Sequence, residues 1–157
     1  MKSRNKIIIP IVACVVIVFA IAVFAVYVFK INAVSVSVNY GLEKRTITVG
    51  STKIPVEVAA TASEQQQGLS DRPSLPADAG MIFPMSPPSQ PPFWMPRMHF
   101  PLDFIYLNGG RVVELKENVS NTDLTPFAPN EPVDAVLEVN AGFVANHGIN
   151  VGDAGDY

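Results

Sequence analysis

Cysteine is almost missing from this chain: its 157 residues include one, Cys14. No disulfide can close within a single chain holding one thiol, so any folded domain stands on its apolar core. Histidine and tryptophan are nearly as scarce, at two and one. His99 and His147 could join Asp103 as metal ligands, but metal sites usually need three ligands with orienting partners. Pro101 forbids helical spacing between His99 and Asp103. Met81, Met85, Met95 and Met98 read as core filler rather than a soft-metal site. No metal and no other cofactor is expected. Nucleophile contexts are also absent: there is no G-x-S-x-G, no phosphate loop and no dinucleotide fingerprint. Basic residues are few. From Ile31 onward seven Lys/Arg stand against fourteen Asp/Glu, a balance near −7, which argues against nucleic acid as a partner.

Long apolar runs are present, and the first decides where the protein is expected to sit. Ile7 to Phe29 carries no charge over 23 residues. As a helix it spans about 34 Å, enough for a hydrocarbon core of about 30 Å. Lys2, Arg4 and Lys6 precede it and only Lys30 follows before Glu43, so the N-terminus is expected inside the cell. The expected division is a cytoplasmic N-terminus over 1–6, a transmembrane helix over 7–29, a juxtamembrane linker over 30–45 and an extracytoplasmic domain over 46–157. A cleaved signal peptide would have a shorter apolar region, so the run reads as a retained signal anchor, single-pass in the cell membrane. Ile11-Val12-Ala13-Cys14 superficially resembles a lipobox, but too many apolar residues follow it for a lipoprotein tether.

In the linker, Val34, Val36 and Val38 alternate with polar residues, as in a short strand or extended tether. In the domain, alternation at Ile47–Val49 and at Ile54, Val56 and Val58 around Gly50-Ser51-Thr52 predicts a hairpin, with Pro55 requiring an edge strand. Ser63 with Gln66 predicts a capped helix over 63–67, stopped by Gly68. Met81-Ile82-Phe83 predicts a short strand. Seven of the fourteen prolines fall between Pro84 and Pro101, which predicts a shaped loop with no ladder through it. Phe93, Trp94 and Met95 within that loop predict that it is pinned onto the core. Asn108-Gly109-Gly110 is the clearest hairpin signal, between strands over 102–107 and 111–116. Val133–Val139 predicts another strand. Asn140 is expected to cap a last helix ending at His147-Gly148, with Ile149 and Val151 returning to the core. Six or seven short strands with two short helices predict an α+β, mostly β domain: a small closed or partly open β-barrel or rolled sheet.

Several quoted motifs carry a family resemblance. Gln67-Gly68-Leu69 with Arg72, Leu75-Pro76, Gly80-Met81-Ile82-Phe83, Phe93-Trp94-Met95 and Pro101-Leu102-Asp103 come in order. Asn118-Val119, Val136-Leu137-Glu138, Ala141-Gly142, Gly148-Ile149 and Gly152-Asp153 follow them. Over residues 46–153 the chain resembles the domain of unknown function 192, a family of prokaryotic membrane-anchored or exported proteins. The resemblance implies a compact β-rich fold behind a signal peptide or anchor, and no defined activity. Many members carry Lys-Asn-Thr where Pro96, Arg97 and Met98 stand here, and a large apolar residue where Ser70 stands.

Asp103 is the leading candidate for chemistry, because apolar residues flank it on both strand faces. It would act as an acid or base, or else as a structural clasp with backbone N–H groups or an arginine, Arg72 first and Arg97 second. Trp94 would be either a stacking platform or a cover for a core edge with its N–H bonded. The expected site lies at the proline-rich loop, with Arg72, Arg97 and Asp103 as polar groups and Trp94 as apolar wall. The expected function is a membrane-anchored binding or interaction domain whose ligand is a small molecule, glycan or protein. The alternatives are a cell-envelope hydrolase or transferase using Asp103 with His99 assisting, and a structural accessory subunit of a membrane complex.

Overall fold

The computed structural model describes residues 41–157. The expected membrane segment 7–29, the N-terminus 1–6 and linker residues 30–40 lie outside the described residues. Among the described residues no helix is long and apolar enough to cross a membrane.

The domain is mostly β: seven strands in one barrel-like, nearly closed sheet, with two short helices. In chain order these are β1 (Glu43–Val49), β2 (Thr52–Val58), α1 (Ala62–Gln67), β3 (Gly80–Ser89), β4 (Leu102–Asn108), β5 (Arg111–Val119), β6 (Val133–Asn140), α2 (Phe143–His147) and β7 (Gly155–Asp156). The sheet order is β5-β4-β6-β3-β2-β1-β7. Every adjacent pair is antiparallel except β2 and β3, whose parallel crossover carries α1. Residues 152–156 bring the two ends of the sheet together. Gly50 N donates to Ala154 O, while Val112 N donates to Asp153 O and Gly155 N to Gly110 O.

Both expected hairpins are present. Gly109 and Gly110 have φ of 57° and 73°, the left-handed pair that a two-residue turn of matching twist requires. Pro55, however, is not on an edge strand, because β2 lies between β1 and β3. It is tolerated because β3 pairs only with Val56–Val58 and leaves the flank at Pro55 open. The prolines after Phe83 do not end β3, which runs to Ser89. Instead its register with β6 breaks between Pro84 and Ser89, where a missing N–H leaves no ladder bond unmade. Helix α1 starts one residue earlier than expected. Thr61, not Ser63, is its N-cap, and Glu64 completes the capping box. Asn140 does not cap α2; it donates to Leu75 O and Pro76 O, and Gly142 holds the N-cap position without a side chain. Val151 is exposed, whereas Ile149 is buried.

The two faces of the sheet have separate cores. One gathers Val56, Val58, Ile82, Ile105, Leu107, Leu137 and Val139 with Phe143 and Val144 of α2. The other gathers Met81, Phe83, Leu102, Phe104, Tyr106 and Val136 with Leu69, Phe93, Met95 and Met98 from the connecting loops. Buried faces on both sides explain why β4 is buried without a break from Leu102 to Leu107 and apolar except at Asp103. Gly80 marks the tightest strand contact: an added Cβ would lie 2.9 Å from Glu138 O and 2.8 Å from Leu137 Cδ1.

Candidate functional site

The proline-rich loop lies over the second face and is pinned as its aromatics predicted. Phe93 N donates to Phe127 O at 2.7 Å, and Phe127 N donates back at 2.9 Å. Edge-on ring contacts run from Phe83 through Phe93 and Phe104 to Phe127. A second set of bonds ties the loop to the turn after α1. Ser70 Oγ donates to Pro96 O, Asp71 N donates to Arg97 O, and Arg97 Nε donates to both Asp71 carboxylate oxygens. The Arg97 hydrogen bond holds the Asp71 carboxyl below its usual range. Asp71 and Arg97 both take positive φ, 64° and 54°, in this stitch. Ser70 therefore has a local use: its hydroxyl holds the loop.

Between loop, α1 and sheet lies an open cavity of about 510 Å³. Phe83, Met85, Met95, Met98 and Leu102 give it an apolar floor and side, while Gln66, Gln67 and Ser63 of α1 line the opposite side. Trp94 lines it too, and is 59% exposed, while its neighbours Phe93 and Met95 are buried. The expectation that Trp94 covers a core edge is overturned. Alternation along the loop sends Phe93 and Met95 inward and leaves the indole facing water.

Glu138 closes the floor of this cavity. It sits on central strand β6, opposite Met81 on β3 and Phe104 on β4, and is only 7% exposed. No hydrogen bond to its carboxyl is present among the described residues. Burial pushes this carboxyl up to about 8, with the Arg72 charge pulling in the other direction. Nearby on β4, the buried Tyr106 hydroxyl has no hydrogen-bond partner among the described residues. Burial first, then the charges of Glu114 and Glu138, raises its pKa well above the usual phenol value.

Arg72 is buried as expected, but its carboxylate partner is not Asp103. Its Nη1 lies 2.6 Å from Glu57 Oε2 on β2. Asp103 is fully buried on the opposite face of the sheet from the cavity, where it accepts from Asn118 N at 2.7 Å and Val144 N at 3.0 Å. The register of β4 and β5 shifts at this point, with Asn118 in the left-handed region at φ 56°. Asp103 thus clamps a bulge in β5 and supplies the acceptor that Gly142 cannot give to the first turn of α2. The structural reading of Asp103 stands; the arginine partner is replaced by backbone. Of the four expected residues, Trp94 and Arg97 line the cavity, Arg72 stands behind it beside Glu57, and Asp103 is elsewhere. Glu138 was not singled out from sequence, although an acid in the apolar run Val133–Val139 was a visible signal.

His99 and His147 do not converge. His147 is bound to its own helix through Phe143 O and stacks on the Phe143 ring. Among the described residues no group of three or more His, Cys, Asp or Glu side chains could hold a metal ion. The charged residues lining the cavity are Arg97 and Glu138, so no acid–base pair meets there.

Comparison with known proteins agrees with this architecture. The sequence profile of DUF192, described as "Uncharacterized ACR", matches residues 45–156. The chain belongs to this family. A protein of unknown function from Novosphingobium aromaticivorans is 35% identical, with a TM-score of 0.73 over 78% of this chain and 91% of its own. A protein from Sinorhizobium meliloti, described as a candidate transcription regulator, is 28% identical, with a TM-score of 0.70 over 73% of this chain and 94% of its own. No curated protein matches the chain. The DUF192 resemblance seen in the motifs therefore holds over the whole described domain.

Proposed function

We propose that this DUF192 domain is a small-molecule binding module, tethered outside the cytoplasm by the apolar segment 7–29. One observation carries the binding reading. A cavity within the usual 300–1,000 Å³ range of ligand sites has the chain's only tryptophan exposed on its wall and a buried carboxyl on its floor. Asp103 lies on the other face with each oxygen accepting a backbone N–H, which weighs against the hydrolase or transferase reading. Among the described residues the exposed large apolar side chains are Trp94, Val113, Leu124 and Val151, too few to favour the subunit reading. The Sinorhizobium description does not transfer easily either, since the excess of acidic over basic residues opposes DNA. Titrating the Trp94 emission with a panel of small amphiphilic compounds tests the proposal. Saturable changes at or below millimolar concentration are expected, and a flat response to the whole panel would overturn it. Protease added to intact cells should digest the domain; a domain left intact would place it inside.

A further inference from the structure

We propose that the cavity selects organic cations, with an ammonium group meeting Glu138 on the floor and an apolar body lying along Trp94, Phe83 and the loop methionines. This assignment rests on the binding reading above and adds the chemistry of the ligand. Its first support is Glu138 itself: the residue is more than nine-tenths buried and lines the cavity, and its carboxyl accepts no hydrogen bond among the described residues. Buried polar groups are normally satisfied, and an orphaned one needs an explanation such as an absent partner.

Charge supplies the second support. Behind the cavity Glu57 is shared by Arg72 and Lys44, and at its mouth Arg97 pairs with Asp71. Tyr106, from β4, stays protonated, and the facing residues of β3 and β4, Met81 and Phe104, are apolar. Ionised Glu138 is the one carboxylate on the cavity lining, with the Arg72 charge behind it, and a ligand cation would pair with it from the open side. An ammonium offers several N–H donors to the two oxygens, whereas an anion would offer none. Ring faces and thioethers on the surrounding wall suit the apolar body and tolerate a nearby cation.

Proton balance follows. With its carboxyl at about 8, Glu138 is mostly protonated at pH 7. Binding moves that proton from the carboxyl to buffer, leaving a carboxylate paired with the ammonium.

The test uses the full chain in mild detergent, with Trp94 emission titrated by phenethylammonium and by the neutral 2-phenylethanol. Phenethylammonium should bind at least tenfold more tightly at pH 8. Its affinity should rise nearly tenfold from pH 6 to 7 and level off above about 8. Calorimetry at pH 7 in buffers of different ionisation enthalpy should show close to one proton released. Glu138→Gln should abolish both the preference and the pH dependence; the wild-type pH profile decides the matter alone if that variant does not fold. Equal affinity for the two probes, or a pH-independent ammonium affinity, would overturn the cation assignment and leave the binding reading standing. Silence from both probes would overturn the cation assignment, and the wider panel then decides the binding reading.

Discussion

Asp103 and Glu138 stand on paired strands β4 and β6, and both are withdrawn from water, yet they sit on opposite faces of the sheet. Asp103 has two backbone N–H groups directed at its oxygens, from Asn118 and Val144. Glu138 has an open cavity before it and, among the described residues, no hydrogen-bond donor. The difference separates two uses of a buried acid. Where the fold supplies donors, the carboxyl joins a bulge to a helix start. Where it does not, the group bears the cost of desolvation and stays available to something from outside. Stability and binding should therefore respond in opposite ways to the loss of each acid.

Removing the satisfied acid should have the largest effect. Asp103→Ala leaves the buried Val144 N–H without an acceptor, at about 1–3 kcal/mol, and the part-buried Asn118 N–H at less, so a loss of about 2–5 kcal/mol is expected. Asp103→Asn should cost less, since one acceptor oxygen remains. Urea midpoints measure both. A loss below about 1 kcal/mol for the alanine variant would mean that the clamp contributes little, and the contrast between the two faces would collapse.

Glu138 should behave with the opposite sign. Its carboxyl lies at about 8 in the folded chain, against an ordinary value of 4.5. Stability from this group is complete below about pH 4.5 and declines as pH rises toward 8, because folding resists the ionisation that the unfolded chain accepts. The gap corresponds to on the order of 3–5 kcal/mol. Glu138→Gln cannot ionise, so its stability relative to wild type should improve between pH 5 and pH 8.5. Denaturation at those two pH values checks this. A variant whose deficit or advantage is the same at both would show that Glu138 ionises freely and that the floor of the cavity is wet.

Much of this contrast was readable in the sequence, and the unread part has physical causes. Hairpins show in local residue chemistry: a two-glycine turn requires positive φ, and alternating apolar residues require a sheet with buried faces. Burial of Asp103 was readable from its flanks. Its partners were not, because backbone N–H groups have no letter in a sequence and the bulge that presents one of them depends on pairing between β4 and β5. Arg72 was read as a partner for the wrong acid for the same reason: Glu57 reaches it only through the parallel crossover from β2 to β3. Prolines 84, 87 and 88 looked incompatible with a strand because a sequence does not show where a ladder has already lost its neighbour. Glu138 was passed over because an acid in a largely apolar strand, like Asp134 in the same strand, resembles a surface residue until both neighbouring strands are placed.

Trp94 gives the smallest effect on folding and the sharpest separation of folding from binding. At 59% exposure the indole contributes little to the core, so Trp94→Ala should change stability by no more than about 0.5 kcal/mol. Phe93 beside it is buried within the aromatic chain, and Phe93→Ala should cost about 3–5 kcal/mol. If the indole is a ligand wall, its loss should weaken phenethylammonium binding by roughly twofold to tenfold, the range of an aromatic contact worth about 0.5–1.5 kcal/mol. Calorimetry must report this, since the substitution removes the only fluorescent indole. A stable variant that binds as wild type would leave Trp94 a bystander at the mouth. Recognition would then fall to Glu138 and the apolar floor, which the Glu138→Gln titration measures separately.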